Sequence, residues 1–298
     1  MNAVVEALSL LTPFDMDRPK TRIGPHSDGG YVFVDSITSD QTVLSYGIGG
    51  EYRFDTLMAE NGHDVYMFDH TITGVPLANA RMHWFKEGVS GTSRPGDSLF
   101  SIEDHLRRHG ITGDRMILKM DVEGAEFEAL GLASPETLAR FEQIVVEIHD
   151  LKNLSDPGYR AAFGTMMRNL NRHFTLFHVH ANNCDGPNRF HVVDGVPVSN
   201  LLELSFVKTS TVVPSPSRTL YPTVHDHPNI PQKDKLLWFF PFLPTTAPTA
   251  DFLACADRID LVYPPYPPLE RKPPGPWTSG MRKIKRWLAG IASATAAK

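Results

Sequence analysis

The sequence predicts an α/β protein built on a doubly wound, largely parallel sheet, with a proline-rich extension at its C-terminal end. Three observations predict it. The stretch Val43-Leu44-Ser45-Tyr46-Gly47-Ile48-Gly49-Gly50-Glu51 is a short buried-strand pattern broken by three glycines, and Tyr52, Phe54, Leu57 and Met58 then recur at helical spacing. Further apolar runs ending in polar residues follow, separated by helical patterns, which is the rhythm of a layered α/β sheet. Beyond residue 209 the composition changes, and 15 of the 24 prolines fall there. Strand, glycine turn and helix open a Rossmann-like, nucleotide-binding unit.

Length and composition narrow the function. A chain of 298 residues with 41% hydrophobic and 21% charged residues suits a soluble globular protein. No uncharged apolar run is long enough to span a membrane, and the first residues lack a signal-peptide pattern. Cys184 and Cys255 make neither a disulfide framework nor a metal motif, so a cytoplasmic location is expected. Net charge is −5, but residues 271–298 hold seven basic residues and no acid. The first 270 residues carry 22 basic against 34 acidic residues, which argues against nucleic acid as a ligand.

Taken in order, Val4, Val5, Leu8 and Leu11 share one helical face. Residues 22–34 (RIGPHSDGGYVFV) read as a hairpin whose Asp-Gly-Gly turn can cover a ligand, with Asp28 and Tyr31 as substrate candidates. In the glycine turn, Tyr46, Gly47, Gly49 and Glu51 are candidate cofactor contacts, because glycine admits a ligand close to the backbone. Residues 64–71 (DVYMFDHT) form a second strand. It ends at Asp69, 20 residues after Gly49, where a carboxylate can accept from ribose hydroxyls. Residues 83–89 give a third strand and its exit, with Glu87 and Gly88 as cofactor candidates, and 98–109 give a helix with Leu99 inward and Asp97 as its cap.

Residues 116–126 (MILKMDVEGAE) form a strand that delivers Asp121 and Glu123 to its end, while Lys119 within it is costly to bury unless its head is paired or reaches water. Residues 143–150 (QIVVEIHD) end in Glu147 and His149. An amphipathic helix covers 159–173, residues 174–183 (FTLFHVHANN) end in His180 and Asn182, and 200–209 form a last strand. The segment 236–242 (LLWFFPF) is apolar enough to pack back on the domain. Residues 278–298 place Met281, Ile284, Trp287, Leu288 and Ile291 on one face of a basic helix suited to peripheral contact with an anionic membrane. The division expected is a sheet domain over 1–208, the extension over 209–277 and the tail helix over 278–298.

The position at which a dinucleotide fingerprint needs its third glycine holds Tyr52, and no Gly-Lys-Ser/Thr follows the turn. S-adenosylmethionine remains, with a ribose for Asp69 and an amino-acid part for the turn. The segments LSYGIGGEYRFD (44–55), VYMFDHT (65–71) and above all LKMDVEGAEFEAL (118–130) resemble the FkbM-type family of S-adenosylmethionine-dependent methyltransferases, and the likeness runs from about residue 20 to 208. The resemblance implies a class I methyltransferase sheet and O-methylation of a hydroxyl on a sugar, a glycan or a secondary metabolite. An alcohol must lose its proton to attack, so a base is expected. Asp121, His149 and His180 are the catalytic candidates, with Glu123 and Asn182 beside the acceptor. A divalent metal is the less favoured route, with Asp121, Glu147, His149 and His180 as suitable ligands that form no close-spaced motif. The rival readings are an NAD-linked oxidoreductase and a non-catalytic module that binds a membrane or partner.

Overall fold

The computed structural model describes residues 2–186 and 189–237. All lie in one compact unit, Met1–Thr249. The apolar run from Trp238 onward, the rest of the extension and the tail helix expected over 278–298 lie outside the described residues.

Seven strands form the central sheet: β1 (Val43–Tyr46), β2 (Val65–Phe68), β3 (Met82–Phe85), β4 (Met116–Met120), β5 (Phe141–Ile148), β6 (Phe174–His180) and β7 (Leu202–Lys208). Their order is β6-β7-β5-β4-β1-β2-β3. All run parallel except β7, which is antiparallel to both β5 and β6. The order changes direction between β1 and β4, so their carboxyl ends diverge and leave a crevice. Among the described residues six helices accompany the sheet: α1 (Ala3–Leu8), α2 (Arg53–Glu60), α3 (Ile102–Arg108), α4 (Glu126–Gly131), α5 (Pro135–Ala139) and α6 (Pro157–Asn171). Among the described residues no helix is long and apolar enough to cross a membrane.

Strand alternation sorts the core into two layers. Leu44, Tyr46, Leu118, Met120, Ile144 and Val146 share a cluster with Leu106 of α3, Leu130 of α4 and Phe163, Met167 and Leu170 of α6. Val43, Ile117 and Val145, from the same strands, pack instead with Phe54 and Met58 of α2 and with Phe33. Both faces are therefore covered, which is why the strands read as continuous apolar runs. Burying Phe54 or Phe163 contributes about 1.5–3 kcal/mol each.

Two local expectations give way. The third helix starts at Ile102, capped by the Ser101 hydroxyl, which accepts from Asp104 N. Asp97 lies in a 3₁₀ turn, and Leu99 belongs to a short strand pairing Leu99–Phe100 with Gly88–Val89. The serine cap sits one turn later than the aspartate, and the strand pairing needs Gly88, which local spacing does not reveal. The hairpin is as read, pairing Lys20–Ile23 with Tyr31–Val34. The start of the extension packs on the sheet domain. Pro214–Pro216 pairs with Phe14–Met16, and Tyr221 and Leu237 are buried in the main core cluster.

Candidate active site

The glycine turn lies against the end of β4. Gly47 has φ +73°, and a Cβ on it would fall 1.5 Å from the carbonyl oxygen of Asp121. Only glycine permits that approach. Beneath the turn, buried Lys119 donates through Nζ to the carbonyls of Tyr46 and Gly47. Ser45, Lys119 and Asp55 form a polar patch on the α2 side of the sheet. Burial pushes the Asp55 carboxyl up to about 6, against the opposing pull of the Lys119 charge.

A cleft of about 350 Å³ opens here, large enough for a small molecule. Its walls include Gly47, Gly49, Gly50 and Glu51 of the turn, Asp69 and Thr71 after β2, Gly88, Asp121 and Glu123 after β4, and Asp28 of the hairpin turn. Open space surrounds the Cβ positions of Gly49 and Gly50. The lining holds five carboxylates and no lysine or arginine.

Asp69 braces the turn. Its Oδ2 accepts from Ile48 N and Gly49 N at 2.9 Å each. Its Oδ1 accepts from Thr71 N at 2.7 Å and Thr71 Oγ1 at 2.6 Å. Burial alone would raise this carboxyl, but donation by Gly49, Thr71 and Ile48 outweighs it and holds it below its ordinary value. All four lone-pair directions are filled.

Asp121 and His149 meet at the end of β4, beside the turn. His149 Nε2 lies 3.6 Å from Asp121 Oδ1 and 3.5 Å from Glu123 Oε2. The other ring nitrogen, Nδ1, faces Oε1 of fully buried Glu126 at 3.3 Å. Glu126 also accepts from His149 N at 3.1 Å and Gly124 N at 2.7 Å, so one carboxylate fixes both the ring and the loop. Burial works against charge on His149, yet Glu126, Asp121 and Glu123 together raise its pKa.

A second acidic group adjoins. Asp28, Glu147 and Glu203 bring carboxylate oxygens within 4.8 Å of one another. Burial, reinforced by Asp121, Glu203 and Asp28, raises Glu147 well above the usual carboxyl range. Asn182 donates to Glu147 Oε1 at 2.7 Å, and Asn229 of the extension bridges Asp28 at 3.1 Å and Glu203 at 2.5 Å.

Several residues expected at the site stand elsewhere. His180 is buried with both nitrogens engaged, Nδ1 by Glu203 at 2.8 Å and Nε2 by Asp234 at 3.0 Å, so it has no nitrogen free to take a proton from an acceptor. Its pKa stands well above the ordinary value, because those carboxylates outweigh burial. The expected metal set divides accordingly: Asp121 and His149 group with Glu123, whereas Glu147 groups with Asp28 and Glu203. The Tyr46 side chain is core, stacked on Phe68 at 5.0 Å, and only its carbonyl reaches the turn. Glu87 does not line the cleft. Its carboxylate is taken by Arg108 and His109, each at 2.8 Å. Tyr31 is buried behind the wall against Phe54, and Asn182 sits behind Glu147. Glu126, Thr71 and Asn229 were not foreseen. Only Glu126 had a local signal, as the first residue of the helix that follows Gly124.

Residues 40–175 match the family model of the methyltransferase FkbM domain. The chain carries an FkbM methyltransferase domain. It is an S-adenosylmethionine-dependent methyltransferase. The cleft fits that cofactor by charge, since its carboxylates complement a sulfonium and an ammonium group. Two solved structures are distantly similar. One is a Streptococcus mutans protein assigned as a methyltransferase and crystallised with SAH: 11% identity, TM-score 0.33, covering 69% of this chain and 94% of that one. The other is an S-adenosylmethionine-dependent methyltransferase from Agrobacterium tumefaciens: 15% identity, TM-score 0.31, covering 68% of this chain and 60% of that one. Likeness at that level carries no argument, and the fold rests on the strand order itself. No curated protein matches the chain.

Proposed function

We propose that this methyltransferase domain transfers a methyl group to a hydroxyl oxygen of a sugar, a glycan or a secondary metabolite. The observation that carries the reading is the placement of Asp121 on the cleft wall beside the glycine turn, with His149 Nε2 3.6 Å from its carboxylate. When bound, S-adenosylmethionine supplies an electrophilic methyl on a sulfonium. The chain then has to align an oxygen with the S–CH₃ bond and take up its proton. Gly47 lets the turn close on the Asp121 backbone, and Gly49 and Gly50 leave room for the cofactor's amino-acid part. Asp69 faces the ribose region of the cleft, and a ribose hydroxyl reaches it by displacing Thr71 Oγ1.

The acceptor side is acidic. Asp28 and Glu123 accept hydrogen bonds from hydroxyls and repel phosphate or carboxylate groups, which favours a polyol acceptor. The same acidity disfavours the pyrophosphate of a dinucleotide, against the NAD-linked reading. The strand order with its single reversed strand supports a class I methyltransferase sheet. Calorimetry with S-adenosylhomocysteine and a labelled-methyl assay on sugar alcohols test the proposal together. Asp69→Ala is expected to weaken cofactor binding, and Asp121→Ala to abolish transfer while binding persists. Unchanged affinity in Asp69→Ala removes the ribose placement, and full turnover by Asp121→Ala removes that residue from the chemistry.

A further inference from the structure

We propose that Asp121 Oδ1, Glu123 Oε2 and His149 Nε2 form a binding site for a divalent cation of the Mn²⁺ type, and that this cation carries the acceptor hydroxyl. The inference rests on the methyl-transfer reading above for the cation's use, but not for its binding.

The geometry points to an ion rather than to hydrogen bonding. The three donor atoms all lie within 4.8 Å of one another. His149 Nε2 stands 3.6 and 3.5 Å from the two carboxylate oxygens, too far for good hydrogen bonds to either. Donor atoms at right angles around an ion are separated by roughly 1.4 bond lengths, so the bonds of about 2.3–2.6 Å made by a Ca²⁺-sized ion give about 3.3–3.7 Å. The observed spacing falls in that range, so the shorter bonds of a first-row ion such as Mn²⁺ require the exposed Glu123 to draw in slightly, and those of Mg²⁺, at about 2.0–2.1 Å, require more. An imidazole with two carboxylates suits a borderline ion better than a hard one.

The histidine supplies a second, independent observation. Its side chain is 8% exposed, yet Nε2 makes no hydrogen bond to any of the described residues and is aimed at the two acids. Glu126, outside the donor set and fully buried, faces Nδ1 at 3.3 Å. With the proton on Nδ1, the Nε2 lone pair is directed at the cluster, the arrangement by which a carboxylate fixes the tautomer of a metal-ligating histidine. Three protein donors leave positions open for acceptor oxygens and water, and a hydroxyl bound there loses its proton more readily.

The test uses the full chain, stripped with chelator and titrated with Mn²⁺ while the signal of the free ion is followed by electron paramagnetic resonance. A single saturable site is expected. Glu123→Gln and Asp121→Asn should each weaken it by about tenfold or more, the scale at which even indirect partners of a metal act. Circular dichroism and S-adenosylhomocysteine titration of the same samples report whether fold and cofactor site survive. Absence of saturable binding overturns the proposal. So does unchanged binding in both variants, or loss of binding in Glu203→Gln alone, which would put the ion at the neighbouring acidic group. If the wild-type chain binds Mn²⁺ as expected but not S-adenosylhomocysteine, the ion site stands and the cofactor placement falls.

Discussion

A single hydrogen at Gly47 decides whether the turn can reach β4. A methyl group there would meet the Asp121 carbonyl oxygen at 1.5 Å, and φ +73° adds a backbone penalty of about 1–2 kcal/mol for any other residue. Gly47→Ala is therefore expected to displace the turn from Asp121 and to lower affinity for S-adenosylhomocysteine by at least about tenfold, a loss of about 1.4 kcal/mol. Calorimetry reads this directly, and affinity equal to wild type would mean that the close approach is not part of the cofactor site. Residue chemistry also separates two histidines that look alike in sequence. His149 and His180 both end apolar strands. Nε2 of His149 faces Asp121 and Glu123, which line the cleft, whereas His180 is held between Glu203 and Asp234. Partners 23 and 54 residues away make that difference, and no local pattern announces them.

At the scale of elements, β1 and β4 act as one unit because Lys119 ties them. Its Nζ donates to the last carbonyl of β1 and to Gly47, and its charge favours ionised Asp55 on α2. The Tyr46 carbonyl keeps a second donor, Asp121 N, so replacing Lys119 chiefly strands the Gly47 carbonyl. Lys119→Met should cost about 1–3 kcal/mol, the scale of one buried acceptor left unsatisfied, and should loosen cofactor binding. Urea denaturation and S-adenosylhomocysteine titration check the two effects. A variant as stable as wild type would show that the lysine is not needed beneath the turn. The elements themselves were readable because their signals are local: an apolar run, a glycine break, a 3.6-residue period. Asp28, Gly47, Gly49, Glu51, Asp69, Gly88, Asp121 and Glu123 were legible on the cleft wall, and His149 beside it, because each ends a strand or makes a turn. Glu87 was misplaced because Gly88 pairs with Leu99 and the chain leaves the crevice there. Glu126 was missed because its partner His149 lies on another strand.

For the molecule as a whole, two buried groups set opposing responses to acid. Burial pushes His105 down to about 4, despite the nearby charge of Glu87. Its folded-state pKa is depressed below the unfolded value of about 6.5, so its contribution is present above that value and is lost as pH falls towards 4. Asp55 has the opposite sign. Its carboxyl is raised from 3.8 to about 6, so its contribution is full below the unfolded value and is lost as pH rises through the folded one. Each shift corresponds to about 3 kcal/mol, so within this window the two largely offset one another. Asp55→Asn removes one side of that balance. The stability of wild type minus that of Asp55→Asn should be greater at about pH 4 than at about pH 7, by up to about 3 kcal/mol. Urea denaturation of both proteins at the two pH values measures the difference. A gap that stays constant, or that widens towards neutral pH, would show that the Asp55 carboxyl is not raised by burial between α2 and the sheet, and that the Lys119 charge alone governs the polar patch beneath the glycine turn.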